Sequence, residues 1–151
     1  LVGSEMCIRD RCHIAPCSFA GVYQPSLSNA FKNSDIVALS YFYDRIAPLG
    51  LGPTFTIREL EQLAERACSL PSQWSLFKSP SFSAETVAEL QQRPDYCLDL
   101  TYMHTLLRLG YELDDSRKIT LAKKLGDFEL GWALGAQLAV LQQGVLCKAS
   151  M

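Results

Sequence analysis

The chain has no long hydrophobic run. Ile36 to Leu39 and Leu138 to Leu141 are typical of its apolar stretches, against the roughly 20 residues needed to cross a bilayer. A membrane-spanning helix is therefore excluded within these residues, and any anchor must lie elsewhere. Charge of one sign is not in excess either: 14 basic and 16 acidic residues leave a formal charge of -2. That gives no electrostatic basis for binding nucleic acid or an anionic membrane surface. Histidine is scarce, with only His13 and His104, far apart in sequence. Cys12 and Cys17 with His13 beside them lack a second ligand pair of zinc-site spacing, so oxidised cysteines are the better reading. There is no Gly-x-Gly-x-x-Gly, no Walker-type loop and no Ser-His-Asp order. Internal repeats and low-complexity segments are missing too.

What is present suits one domain with a real core. Hydrophobic residues make up 48% and charged residues 20% of 151 positions, which excludes disorder. Six cysteines are many for a cytosolic enzyme of this size. Cys68 ends one amphipathic helix and Cys97 opens the next strong one, so the two can close a loop. A bridge over a loop of that size contributes about 3.5 kcal/mol by chain entropy.

Strand signals run from Ser18 to Tyr23, stopped by Pro25, and from Asp35 to Tyr43, whose near-continuous apolar character predicts burial on both faces. Between them, residues 26–33 read as a turn of helix or a loop. Pro48, Gly50, Gly52 and Pro53 make a loop. Thr56-Ile57-Arg58-Glu59 is a capping box opening a helix with Leu60, Leu63, Ala64 and Ala67 on one face. Ser83 opens another, ended before Pro94. Tyr96 to Leu109 forms a third, with Gly110 expected in the left-handed position beyond its end. Ile119 to Leu125 reads as a strand, and a final helix starts at Phe128 or Glu129 and runs to about Gln142. Strands separated by helices predict an α/β domain.

Three stretches carry a family resemblance. They are Lys123-Lys124-Leu125-Gly126-Asp127-Phe128-Glu129-Leu130-Gly131-Trp132-Ala133-Leu134-Gly135, Cys17-Ser18-Phe19-Ala20-Gly21-Val22-Tyr23-Gln24-Pro25, and Ser40-Tyr41-Phe42-Tyr43-Asp44-Arg45. In this order they resemble the apyrase family of nucleoside di- and triphosphate diphosphohydrolases, and look most like its fungal Golgi guanosine diphosphatase branch. The resemblance covers Cys12 to about Gln142. It implies the C-terminal portion of an actin-like, ribonuclease-H-like nucleoside phosphatase lobe, spanning residues 12–151. It also supports the Cys68–Cys97 pairing, and implies that Cys12 and Cys17 are family cysteines whose partners lie upstream. Residues 1–11 fit no part of that pattern and look like translated sequencing adapter; a native loop or strand is the alternative.

The resemblance also assigns candidate site residues, each with a plainer alternative. Trp132, with one N–H donor and a flat face, is implied to line the phosphate and metal site; a core tryptophan beside small residues is the alternative. Tyr43 and Tyr111 are implied as two walls of a nucleobase sandwich, with Tyr41 second on the first wall and Arg108 near the base edge. Side chains alternate along a strand, so Tyr41 and Tyr43 are expected on one face and Phe42 on the other. Tyr111 is expected on a loop, off the core face. Ordinary core aromatics, and an arginine favourable to the helix dipole, are the alternatives. Asp127 reads as the N-cap of the last helix, and Asp44–Arg45 as a local ion pair.

By that resemblance the full protein would convert a nucleoside diphosphate, GDP or UDP, to the monophosphate in the Golgi lumen. The catalytic glutamate, the membrane anchor and most ligands of a divalent cation (Ca, Mg or Mn) would lie upstream. No catalytic residue and no direct metal ligand would fall in this chain, and no nucleic acid would be a partner. The alternative is an actin-like nucleotide-binding or interaction module without hydrolase activity.

Overall fold

The computed structural model describes residues 14–17, 19–32, 34–76, 82–129 and 132–142. After a 3-10 turn at Phe19–Gly21 come helix α1 (Leu27–Ala30), strand β1 (Ile36–Ala38), helix α2 (Tyr41–Ile46) and a 3-10 turn at Ala47–Leu49. Strand β2 (Thr54–Thr56) leads into α3 (Ile57–Ala67), and α4 (Ala84–Gln92) and α5 (Tyr96–Thr105) follow. Helix α5 runs on as a wider π turn over Leu106–Gly110. Strand β3 (Lys118–Leu121), the hairpin strands β4 (Lys124–Leu125) and β5 (Phe128–Glu129), and helix α6 (Trp132–Gln142) complete the described chain.

The sheet order is β1-β3-β2. β1 runs parallel to β3, with Ile36 opposite Ile119, and β2 runs antiparallel, with Phe55 opposite the same residue. Ile119 and Phe55 are sealed from solvent together with Ile57, Leu60, Leu63, Leu100 and Met103. The α/β class is therefore as expected, with α3 and α5 forming the most extensive helix contact. α3 starts where the capping box predicts. The Thr56 hydroxyl accepts from the Glu59 N–H at 3.2 Å, and the Glu59 carboxylate accepts from the Thr56 N–H at 2.7 Å. The bond from the Thr56 N–H, together with one that the Thr56 hydroxyl donates to the same carboxylate at 2.8 Å, holds the Glu59 carboxyl below its ordinary range. The Ser83 hydroxyl caps α4 by accepting from the Thr86 N–H at 3.2 Å.

The Cys68–Cys97 disulfide is present, joining the end of α3 to the start of α5 with a Cα separation of 4.6 Å. Cys17 is disulfide-bonded as well, so its partner lies within this chain and not upstream as expected; Cys12 and Cys147 lie outside the described residues, as does the segment 1–11.

Several local expectations are corrected. Where a strand was expected over 18–23, Phe19–Gly21 forms a 3-10 turn flanked by a single bridge between Cys17 and Tyr23. The strand expected from Asp35 to Tyr43 ends at Ala38, and Val37 is 37% exposed. Gly110 has no left-handed backbone. It is needed because a Cβ there would come within 2.5 Å of the Phe19 ring. Asp127 follows Gly126, whose φ is 61°, in the tight turn of the β4–β5 hairpin, so it sits before β5 and does not cap α6.

Candidate functional site

The chain passes from β1 into α2 within two residues. Ser40 makes that turn at φ 49° and ψ -112°, and its side chain does not cap the helix. A residue with a Cβ held in such a region costs on the order of 1–3 kcal/mol. α2 has only six residues, too few to hold itself together in water. It is held from α5. The Tyr41 hydroxyl donates to Asp99 Oδ1 at 2.6 Å, and Arg45 Nε lies 2.7 Å from Asp99 Oδ2. The Arg45 guanidinium also lies over the Tyr41 ring, 5.1 Å from its centre. Tyr41 and Arg45 are four residues apart and so share one face of the helix. The bond to Asp99, helped by burial, raises the Tyr41 hydroxyl above its ordinary range. Arg45 thus pairs with Asp99, where sequence reading had matched it with Asp44.

Because 41–43 is helical, successive side chains turn by about 100°. The face that Tyr41 and Tyr43 were expected to share does not exist. Phe42 instead lines an apolar cavity of about 380 Å³ together with Tyr111, Leu107, Leu27, Ile36 and Ile119. Tyr43 is half-buried against the core and is not among the residues lining that cavity.

Tyr111 comes straight after the π turn, its N–H bonded to the Leu106 carbonyl at 2.9 Å. The extra residue in that turn carries the ring back against the core, where it is half-buried and meets the edge of Phe19 at 5.5 Å. It is not the free loop residue expected. Arg108 is ion-paired: its Nε lies 2.8 Å from Asp115, whose other oxygen takes Arg58 at 3.0 Å. Side chains this exposed gain little from such pairs. Trp132 opens α6 with 86% of its surface exposed, away from the cavity. Leu134, Leu138, Val140 and Leu141 of the same helix are exposed too.

No three His, Cys, Asp or Glu side chains among the described residues converge as a metal-holding group. Two residues of the site escaped sequence reading, Asp99 and Phe42. The signal for Phe42 was available: read at helical spacing, Ser40-Tyr41-Phe42-Tyr43-Asp44-Arg45 puts Tyr41 and Arg45 on one stripe and frees Phe42 for another. Asp99 had no local signal, since its partner Tyr41 is 58 residues away.

Comparison with known proteins gives a consistent result. The pattern of the GDA1/CD39 (nucleoside phosphatase) family matches residues 2–149. Over 139 residues the chain is 46% identical to a protein named "Probable guanosine-diphosphatase" from Aspergillus fumigatus, covering 91% of this chain and 27% of that protein. It is 44% identical to the "Guanosine-diphosphatase" of Schizosaccharomyces pombe, over 87% of this chain and 23% of the relative. With the "Ectonucleoside triphosphate diphosphohydrolase 2" of Mus musculus it shares 32% identity, over 84% of this chain and 24% of the relative. The chain thus spans about a quarter of the length of the curated relatives it matches, in their C-terminal portion.

Proposed function

Because this chain belongs to the GDA1/CD39 (nucleoside phosphatase) family, we propose that it is the C-terminal part of a nucleoside diphosphatase converting GDP or UDP to the monophosphate and phosphate. The observation that carries this is the 46% identity to a guanosine-diphosphatase over 91% of the chain. The family's actin-like fold agrees with an α/β segment of mixed sheet. In the complete enzyme, the described residues contribute scaffold and nucleobase recognition. Tyr111 forms one wall of the base site. The aromatic segment of α2 forms the other, with Phe42 on the shared cavity and Tyr43 one residue on. A cavity lined this way takes a flat, weakly polar ring and holds it by its π-face. Tyr41 and Arg108 are both engaged by carboxylates and are not among the residues lining that cavity.

Trp132, at the head of an exposed helix, is proposed to line the phosphate and metal site together with residues outside this chain. No group of His, Cys, Asp or Glu side chains among the described residues fits a divalent cation. Ca, Mg or Mn is proposed to bind to upstream residues, beside an upstream glutamate base. Oxidised cysteines favour a luminal setting, and we place the protein in the Golgi lumen with its anchor upstream.

The test uses the full-length protein with GDP and with methyl diphosphate, which has no base. Tyr111→Ala, Phe42→Ala and Tyr43→Ala should cost on the order of 1–3 kcal/mol in base stacking, roughly tenfold or more in kcat/KM for GDP. Methyl diphosphate should be turned over nearly as before. Folded variants with wild-type kcat/KM for GDP would show that the base binds elsewhere. The isolated 151-residue chain should release no phosphate from GDP with divalent metal added; turnover lost on Trp132→Ala would refute that.

A further inference from the structure

We propose that Asp99 is a positioning residue for nucleobase recognition: by clamping Tyr41 and Arg45 it fixes the rotation of α2, and so keeps Phe42 on the cavity that Tyr111 lines. The inference rests on the base site proposed above and adds to it the group that sets its geometry.

Three observations converge. First, α2 is short, uncapped and entered through a left-handed Ser40, so its orientation is not set by its own hydrogen bonds. Second, both oxygens of Asp99 are engaged by side chains on one stripe of α2, at 2.6 and 2.7 Å. The Arg45 and Asp99 side chains are only 18% and 16% exposed, so the Tyr41 hydrogen bond and the Arg45–Asp99 ion pair, in which Arg45 Nε is close to the carboxylate without an aligned hydrogen bond, are shielded from water. A two-point hold of this kind resists rotation about the helix axis, which a single contact would not. Third, Asp99 lies on α5, which runs unbroken into the π turn that delivers Tyr111. One rod therefore carries the clamp on α2 and, twelve residues on, the ring at the cavity's other wall. The separation of Phe42 from Tyr111 is set by where α2 sits on α5. Contacts of α2 with α5 apart from this clamp are present, but apolar packing alone is tolerant of rotation.

A stacked base needs two ring planes held at a fixed gap, and displacements of about 1 Å at such sites have large kinetic consequences. Loss of the clamp should therefore appear as weaker recognition of the base, with the phosphate chemistry intact. In full-length protein, Asp99→Ala should raise KM for GDP about tenfold with kcat changed less, and should leave kcat/KM for methyl diphosphate unchanged. Asp99→Asn keeps an acceptor for the Tyr41 hydroxyl but loses the charge facing Arg45, so it should fall between. Tyr41→Phe should show a smaller loss of the same kind. The decisive measurement is the cycle of Asp99→Ala with Tyr111→Ala: once Tyr111 is gone, removing Asp99 should cost little more.

If Tyr111→Ala impairs GDP and Asp99→Ala does not, the positioning role is wrong and the base site stands. If neither affects GDP, the base site itself is misplaced. Equal losses on GDP and methyl diphosphate, or fully additive effects in the cycle, would reduce Asp99 to a general support of the fold and overturn the proposal. Should Asp99→Ala fail to fold, Asp99→Asn and Tyr41→Phe carry the same comparison.

Discussion

Breaking the Cys68–Cys97 bridge is the perturbation whose effect follows most directly from the structure. The bond spans 29 residues and encloses α4 with its flanking segments. Loop-closure entropy gives a loss of about 3.5 kcal/mol when a cross-link of that span is removed from the denatured chain. The native state should survive the change, because α3 and α5 remain joined by Leu60, Leu63, Leu100 and Met103, all sealed from solvent. The effect should thus fall on stability and leave secondary structure in place. For a domain of this size each kcal/mol moves the melting point by roughly 2–4 °C, so Cys68→Ser/Cys97→Ser should lower Tm by about 7–14 °C. In urea the midpoint should fall by about 1–3 M, and the slope should rise because the denatured chain without the cross-link is more expanded. The assay compares oxidised wild type with the oxidised double variant, in which the Cys17 bridge stays intact. Two results would refute the reasoning. A midpoint within experimental error of wild type would mean the bridge does not constrain the denatured chain. Loss of far-UV helical signal in the variant would mean the apolar contact of α3 with α5 cannot hold without it.

Two further outcomes concern local devices. Thr56→Ala removes one arm of the capping box and should cost about 1 kcal/mol in urea unfolding. Because the Glu59 carboxyl is held below its ordinary range by the Thr56 bonds, its contribution is fully present above the unfolded carboxylate pKa, roughly 4.3. It is lost as pH falls through the lower folded value; the gap between wild type and Thr56→Ala should therefore narrow in acid, and a gap independent of pH would contradict it. Gly110→Ala drives a Cβ to 2.5 Å from the Phe19 ring tip, and should destabilise by about 1–3 kcal/mol, more than the helix propensity of alanine, about 1 kcal/mol, returns. The cost should largely vanish in a Phe19→Ala background; an equal cost in both backgrounds would show that the ring is not the obstacle.

The readings that held were those whose cause is local or whose pattern is shared with relatives. The capping box at Thr56 needs only residues three apart, so its spelling is its structure. The heads of α3 and α4 follow from the same short-range rule, and the apolar stripe Leu60, Leu63, Ala64, Ala67 named its own buried face. The family was legible because separated motifs kept their order. The tertiary structure decided what lies between distant segments. An aromatic run such as Tyr41-Phe42-Tyr43 suits a strand by composition, yet it forms a helix whose Tyr41 and Arg45 meet Asp99 of α5, and the helical turn brings Phe42 to the cavity. Gly110 looked like a backbone requirement and is a steric one, set by Phe19 some ninety residues earlier. Asp127 looked like a cap because a helix was expected at once; two short strands pairing across Gly126 intervene. In each case the sequence fixes which bonds a residue is able to make, while the choice among them belongs to whichever partner the fold brings within about 3 Å.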